Sequence, residues 1–210
     1  MEPTTTEPTT DPRPQFAASA ETLRSVVACV DPSQFDDPTP CTGMNVRELI
    51  DHVGMAVGRV IAAGNRAPLE EWPTEGFRVG DDVTGGIDGL IAEAVDAFDD
   101  ERLTEEVQLP WTVMSGVDSL SMYTNELLVH SWDLATATGQ DPDFDDDAVA
   151  TADELMHREL PVPERAPMWD EFAKHMPEGI PFEKPFGDAV PVPDEASPIE
   201  RLVAWNGRQP

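Results

Sequence analysis

Lysine is almost missing from this chain: Lys174 and Lys184 are the only two in 210 residues. Lys and Arg together number 13 against 42 Asp and Glu, a formal net charge of −29. A nucleic-acid backbone is bound by neutralising its phosphates with basic side chains, so this deficit argues against a DNA or RNA partner. Docking on an anionic membrane surface is disfavoured on the same grounds. The acidic excess reads instead as a solvating surface, suited to a salty cytoplasm. Long apolar runs are lacking too, and no stretch approaches the ~18 residues that a membrane-spanning helix needs. Cysteine is scarce, with Cys29 and Cys41 alone, which points to a reducing, cytoplasmic setting with both thiols free and buried rather than a disulfide framework. The opening segment, residues 1–14, has neither the basic start nor the apolar core of a secretory signal and reads as a flexible Thr- and Pro-rich tail.

What the chain does have is helical periodicity. Phe16, Ala20, Leu23, Val26, Val27 and Val30 recur at steps of three and four up to the Asp31-Pro32 break. After a loop holding Pro38, Thr39, Pro40 and Cys41, a longer amphipathic run follows: Val46, Leu49, Ile50, Val53, Val57, Val60 and Ile61. Asn45 is placed to cap it, with Glu48 three residues on to complete a capping box. A third helix is expected over Ile87, Leu90, Ile91, Ala94, Val95 and Phe98, stopping near Asp99-Asp100, and residues 109–113 read as a short extended piece. The strongest pattern runs from Val117 to Thr138, with Gly139 as its stop signal. A fifth helix spans Asp146 to Glu159, its acidic first turn matching the positive end of the helix dipole.

From Pro161 to Pro193 the prolines are too frequent for long helices, so this stretch is expected to wrap the bundle as ordered loops and short turns, docked by Trp169, Phe172, Phe182 and Phe186. A short helix, Ile199 to Trp205, closes the chain. There is no repeat and no period-2 strand series. The fold class is therefore all-α, with one domain over residues 15–210 built as an antiparallel bundle plus an additional helix and the C-terminal wrap.

Two of the four histidines sit inside strongly patterned helices, His52 in the second and His130 in the fourth. Glu126 and His130 are four residues apart, which stacks them on one helix face as two ligands of one ion would be. His52 would then supply a third ligand and leave one position of a tetrahedral zinc open. The spacing alone leaves the plainer reading standing, a helix-surface Glu–His pair and a histidine satisfied elsewhere. His157 and His175 lie in acidic, exposed-looking surroundings and are left out of the site. Asp133, three residues beyond His130, lies close to the ligand face and could hold a ligand or cofactor group in place, or be a surface carboxylate. Arg47, one turn before Asp51, could meet an anionic group or form a structural ion pair. Trp111 and Trp132 are candidates for a pocket wall or for the core. Cys41, near the N-terminus of the second helix, is a candidate reactive thiol.

These residues carry a family resemblance. Thr39-Pro40-Cys41-Thr42-Gly43 running into Val46-Arg47-Glu48-Leu49-Ile50-Asp51-His52-Val53 resembles the opening signature of the mycothiol-dependent maleylpyruvate isomerase family, in the DinB-like superfamily. Glu126-Leu127-Leu128-Val129-His130-Ser131-Trp132-Asp133-Leu134-Ala135 resembles its second signature. The ending from Arg201 to Pro210 is similar to that of an uncharacterised metal-binding branch. Met44 departs from the pattern, since relatives often carry Trp there.

The resemblance implies a DinB-like four-helix bundle in which His52, Glu126 and His130 bind zinc; Ni, Fe and Mn are compatible with the same donors. It also implies mycothiol or another low-molecular-weight thiol as cofactor, and a small electrophile as substrate for isomerisation or S-transfer. Because the ending differs from that of the founding isomerase, the substrate is not carried over. A metal-dependent hydrolase that needs no thiol, and a non-catalytic metal- or small-molecule-binding protein, use the same ligands. The oligomeric state is open between monomer and homodimer.

Overall fold

A computed structural model describes residues 11–174 and 186–210. The tail expected over residues 1–14 falls mainly outside these, as do His175, Phe182 and Lys184. Helix α1 (Arg13–Ala28) starts with Pro14 in its first turn, where the missing N–H costs nothing. Helix α2 (Val46–Gly64) begins with the expected capping box: the Asn45 side chain accepts from the Glu48 N–H at 2.9 Å, and Glu48 Oε2 accepts from the Asn45 N–H at 3.0 Å. Such a cap contributes about 1 kcal/mol.

Helix α3 (Val83–Ala94) ends earlier than the periodicity suggested. The chain turns instead into a short helix, α4 (Asp100–Thr104), capped by Asp99. It then enters a hairpin of β1 (Glu106–Gln108) and β2 (Val113–Ser115), with Val107 paired to Met114. The single extended piece expected at 109–113 is in fact mostly the hairpin's turn, closed by a 2.8 Å bond from the Leu109 N–H to the Thr112 carbonyl.

Helix α5 (Gly116–Thr138) is the central element. Its start crosses α4 so closely that a Cβ at Gly116 would lie 2.0 Å from the Arg102 carbonyl oxygen, so only glycine fits there. Its end is set by Gly139 at φ 71°, the left-handed conformation that halts a helix. One face of α5 packs on α1 and α2, against which α3 lies in turn, in a core that includes Leu23, Leu49, Ile50, Val57, Ile87, Leu120 and Leu127. The other face, through Leu128 and Val129, meets α6 (Asp146–Glu159) and α8 (Pro198–Trp205) around Met156, Leu202 and Val203. Each buried Leu or Val of this kind contributes about 1.5–3 kcal/mol. The result is an all-α DinB-like bundle with a two-stranded hairpin as its only sheet among the described residues.

The Pro-rich segment corrects the expectation of loops and short turns, because residues Val162–Lys174 form a 13-residue helix, α7, with Pro167 inside it. Proline removes one hydrogen bond from a helix, but tertiary anchors hold this one. Trp169 is buried in the second cluster, and the Arg165 guanidinium donates to the carbonyls of Gly187, Trp205 and Leu160, each at 2.9 Å. Of the other aromatics expected to dock, Phe186 packs beside Trp169. No described helix is long and apolar enough to cross a membrane.

Candidate metal centre

Helices α2 and α5 pack directly on each other, and this contact brings His52 to the Glu126–His130 face. His52 Nε2 lies 3.0 Å from Glu126 Oε1, and His130 Nε2 lies 3.3 Å from the same oxygen. The two imidazoles meet edge to face with centroids 5.0 Å apart. One ligand atom from each residue lies within 4.8 Å of those from the other two. His130 is 5% exposed, whereas His52 and Glu126 are only partly buried, so the cluster opens to solvent on their side.

The buried side of the cluster is built as carefully as the open one. His130 Nδ1 donates to Asp133 Oδ2 at 2.9 Å, and since an ionised carboxylate only accepts, that nitrogen carries the proton. The ring is thereby fixed with Nε2 facing Glu126 and His52. Asp133 is fully buried, and Arg208 donates to it through Nη2 at 2.9 Å and Nε at 3.3 Å. Arg208 reaches this position because the chain after α8 turns back over α5. Gly207 has φ 88°, and the amides of Asn125 and Asn206 bond each other reciprocally at 3.1 and 3.0 Å. Close approach shapes the turn too, since a Cβ at Gly207 would lie 2.7 Å from Gly187 Cα.

The charges follow from these contacts. Burial pushes the Glu126 carboxyl up, but the His130 and His52 imidazoles outweigh it and hold Glu126 well below the usual carboxylate range. Burial pushes His130 down, yet Glu126 and Asp133 together raise it to about 9. In Asp133 the upward effect of burial is overcome by His130 and Arg208, so it too stays ionised.

Arg47 is engaged away from this cluster. Its guanidinium holds Asp51 at 3.0 and 3.1 Å and the Gly80 carbonyl at 2.9 Å, and lies over the Phe35 ring. Asp51 also accepts from the Val79 N–H at 2.9 Å, so the pair ties α2 to the loop before α3. Trp132 is half-buried in the second cluster, and Trp111 is 43% exposed at the hairpin. His157 is exposed and stacked on Trp205.

Both thiols are free, but Cys29 is exposed and only Cys41 is half-buried, so the expectation that both are buried is corrected. The Cys41 sulfur lies within 4.8 Å of both a His130 ring nitrogen and an Asp133 oxygen. Burial, assisted by Asp133 and Glu126 and only partly countered by Arg208, raises the Cys41 thiol to about 11. Its thiolate fraction at pH 7.5 is then roughly one part in several thousand. With iodoacetamide at that pH, mass spectrometry should find Cys29 modified first and Cys41 slower by at least ~10-fold. Equal rates would show that Cys41 is not shielded as the structure has it.

Sequence reasoning missed Arg208, Asn206 and Tyr123, which packs one turn before Glu126. The ending that contains Arg208 had stood out only as a resemblance, with no signal of a contact to Asp133 75 residues away.

The family described as the mycothiol maleylpyruvate isomerase N-terminal domain matches residues 16–135. The chain belongs to that family. The matched span contains His52, Glu126, His130 and Asp133 and stops short of α6, so Arg208 lies outside the family's shared region. An uncharacterised protein of Mycobacterium tuberculosis, found in strains H37Rv and CDC 1551 / Oshkosh, is 28% identical over 210 residues, covering 94% of this chain and 98% of that protein. No solved structure matches the chain.

Proposed function

We propose that this family member holds one divalent metal, zinc first, with His52, Glu126 and His130, and works as a thiol-dependent isomerase or S-transferase on a small electrophile. The observation that carries this reading is the convergence of two imidazole nitrogens and one carboxylate oxygen on a partly open point, with the His130 ring oriented by Asp133 so that Nε2 faces that point. The donor set fits the group, since two imidazoles and a carboxylate with a free position are characteristic of catalytic zinc, and nickel, iron or manganese also accept it. The hydrogen bond from His130 to a buried carboxylate is the outer-shell support that ligating histidines generally have.

Bound there, the ion supplies a Lewis acid that makes a thiol ionise near neutral pH. The chain's own residues do the rest. Glu126, ionised, offsets the charge of the ion, Asp133 fixes His130, and Arg208 keeps Asp133 charged. The thiol is mycothiol or another low-molecular-weight thiol, by family membership.

The test is an activity screen on zinc-reconstituted protein, following thiol consumption and product formation by mass spectrometry with mycothiol and a panel of small electrophiles. Turnover that requires both zinc and mycothiol is expected. Turnover that persists without any thiol would replace this reading with a metal-dependent hydrolase, and ligand retention without turnover would replace it with a binding protein.

A further inference from the structure

Arg59 and Tyr123 stand apart from the features accounted for so far. In a chain with 42 acidic residues, most described basic side chains have found a carboxylate, but among the described residues Arg59 has none. Among the described residues Arg165 and Arg201 also lack one within ion-pair distance, yet each gives two or more guanidinium bonds to backbone carbonyls. Among the described residues Arg59 donates only its Nε, to the Pro73 carbonyl at 2.9 Å, and neither terminal nitrogen has a partner.

Tyr123, the single tyrosine of the chain, is 3% exposed and its hydroxyl has no hydrogen-bond partner among the described residues. A buried unpaired hydroxyl is costly and calls for an explanation in function or in a missing partner. These two residues are neighbours of the metal cluster by helical register. Tyr123, Glu126 and His130 are spaced i, i+3, i+7 along α5, and His52 and Arg59 are spaced i, i+7 along α2, so each pair lies on one helix face. The charges of both Arg59 and Glu126 act on the Tyr123 hydroxyl, which agrees with that placement.

We propose that Arg59 and Tyr123 form the acid-recognising end of the site, where the guanidinium's terminal nitrogens and the phenolic hydroxyl hold a carboxylate of a small ligand whose other end lies at His52, Glu126 and His130. Both groups are donors, and a planar guanidinium matches a carboxylate in bidentate fashion. The one guanidinium that, among the described residues, has neither a carboxylate nor a partner for its terminal nitrogens shares the α2–α5 seam with the one tyrosine, and together they favour an anionic ligand that the rest of this acidic surface repels. Binding has to open a path to the buried hydroxyl, so it must change the surroundings of the tyrosine ring. The inference rests on the proposed metal site only for where the remainder of the ligand lies.

A single tyrosine makes the test direct. Protein labelled with tyrosine carrying carbon-13 at Cζ gives one resonance, which is followed while succinate or neutral succinamide is added to the metal-free and the zinc-loaded protein at constant ionic strength. Succinate should shift the resonance saturably and succinamide should not. Arg59→Gln should weaken the succinate response by at least ~10-fold, and Arg59→Lys should recover part of it, with circular dichroism confirming the fold of each. No shift with succinate, or a shift unchanged in Arg59→Gln, overturns the proposal. Because the metal-free titration does not need the ion, loss of the metal reading alone would leave this result standing, and a normal metal content with no succinate response would sink the acid-recognising end alone.

Discussion

His130→Ala, reconstituted with zinc and passed through a desalting column, retains almost no metal, whereas the wild-type chain retains about one ion. The same loss is expected for Glu126→Ala and His52→Ala, measured by plasma mass spectrometry. The magnitude follows from the ligand count: zinc held by four protein ligands is bound by about 10–16 kcal/mol, so one ligand accounts for roughly 3 kcal/mol, or about 100-fold in affinity. The fold should survive each change. Removing His130 leaves Asp133 paired with Arg208 at 2.9 Å, and removing Glu126 or His52 empties a partly exposed position. Binding should also weaken by about 10-fold for each pH unit below about 9, because His130, raised to about 9, must lose a proton before Nε2 can ligate. If all three variants keep wild-type metal content, the ligand set is wrong and the thiol chemistry built on it falls.

Helices α2 and α5 were legible from sequence because their boundaries are written in local chemistry: Asn45 and Glu48 bond each other within one turn, and Gly139 takes the left-handed conformation that Thr138 could not adopt cheaply. Helix α7 was illegible for the complementary reason. Its prolines speak locally against a helix, and what overrides them is Arg165 reaching Gly187 and Trp205, contacts 22 and 40 residues away. The hairpin was hidden by its length, since three-residue strands carry too little alternation to register.

The candidate site divides along the same line. Glu126, His130 and Asp133 share a helix, so their spacing exposes their common face. His52 entered as a second histidine in the interior of a strongly patterned helix, and the structure brings it to 3.0 Å from Glu126. Arg47 and Asp51 were equally well spaced, yet their i, i+4 pair serves a loop 28 to 33 residues downstream, a destination no periodicity contains. Cys41 was weighed by its nearness to a helix N-terminus, whereas burial beside Asp133 and Glu126 governs its acidity in the opposite direction.

Arg208 is where the C-terminal segment and the candidate site become one problem. Asp133 is fully buried and Arg208 is 11% exposed at its side chain, so Arg208→Ala leaves a buried carboxylate with His130 as its sole charged partner. Breaking such a pair from one side costs about 3–5 kcal/mol, and for a chain of this size that is roughly a 6–15 °C fall in melting temperature by calorimetry. The same change should weaken zinc binding by about 10–100-fold, the usual effect of losing an outer-shell contact behind a ligating histidine. These two losses need not travel together, and their coupling is the informative quantity. In Asp133→Asn the buried charge is gone, so adding Arg208→Ala to it should cost far less stability than Arg208→Ala alone, a strong non-additivity. If Arg208→Ala instead melts like the wild type and holds zinc as tightly, the C-terminal turn is packing without influence on His130. A stability loss with unchanged zinc affinity would assign Arg208 to the fold and leave Asp133 able to orient the histidine unaided.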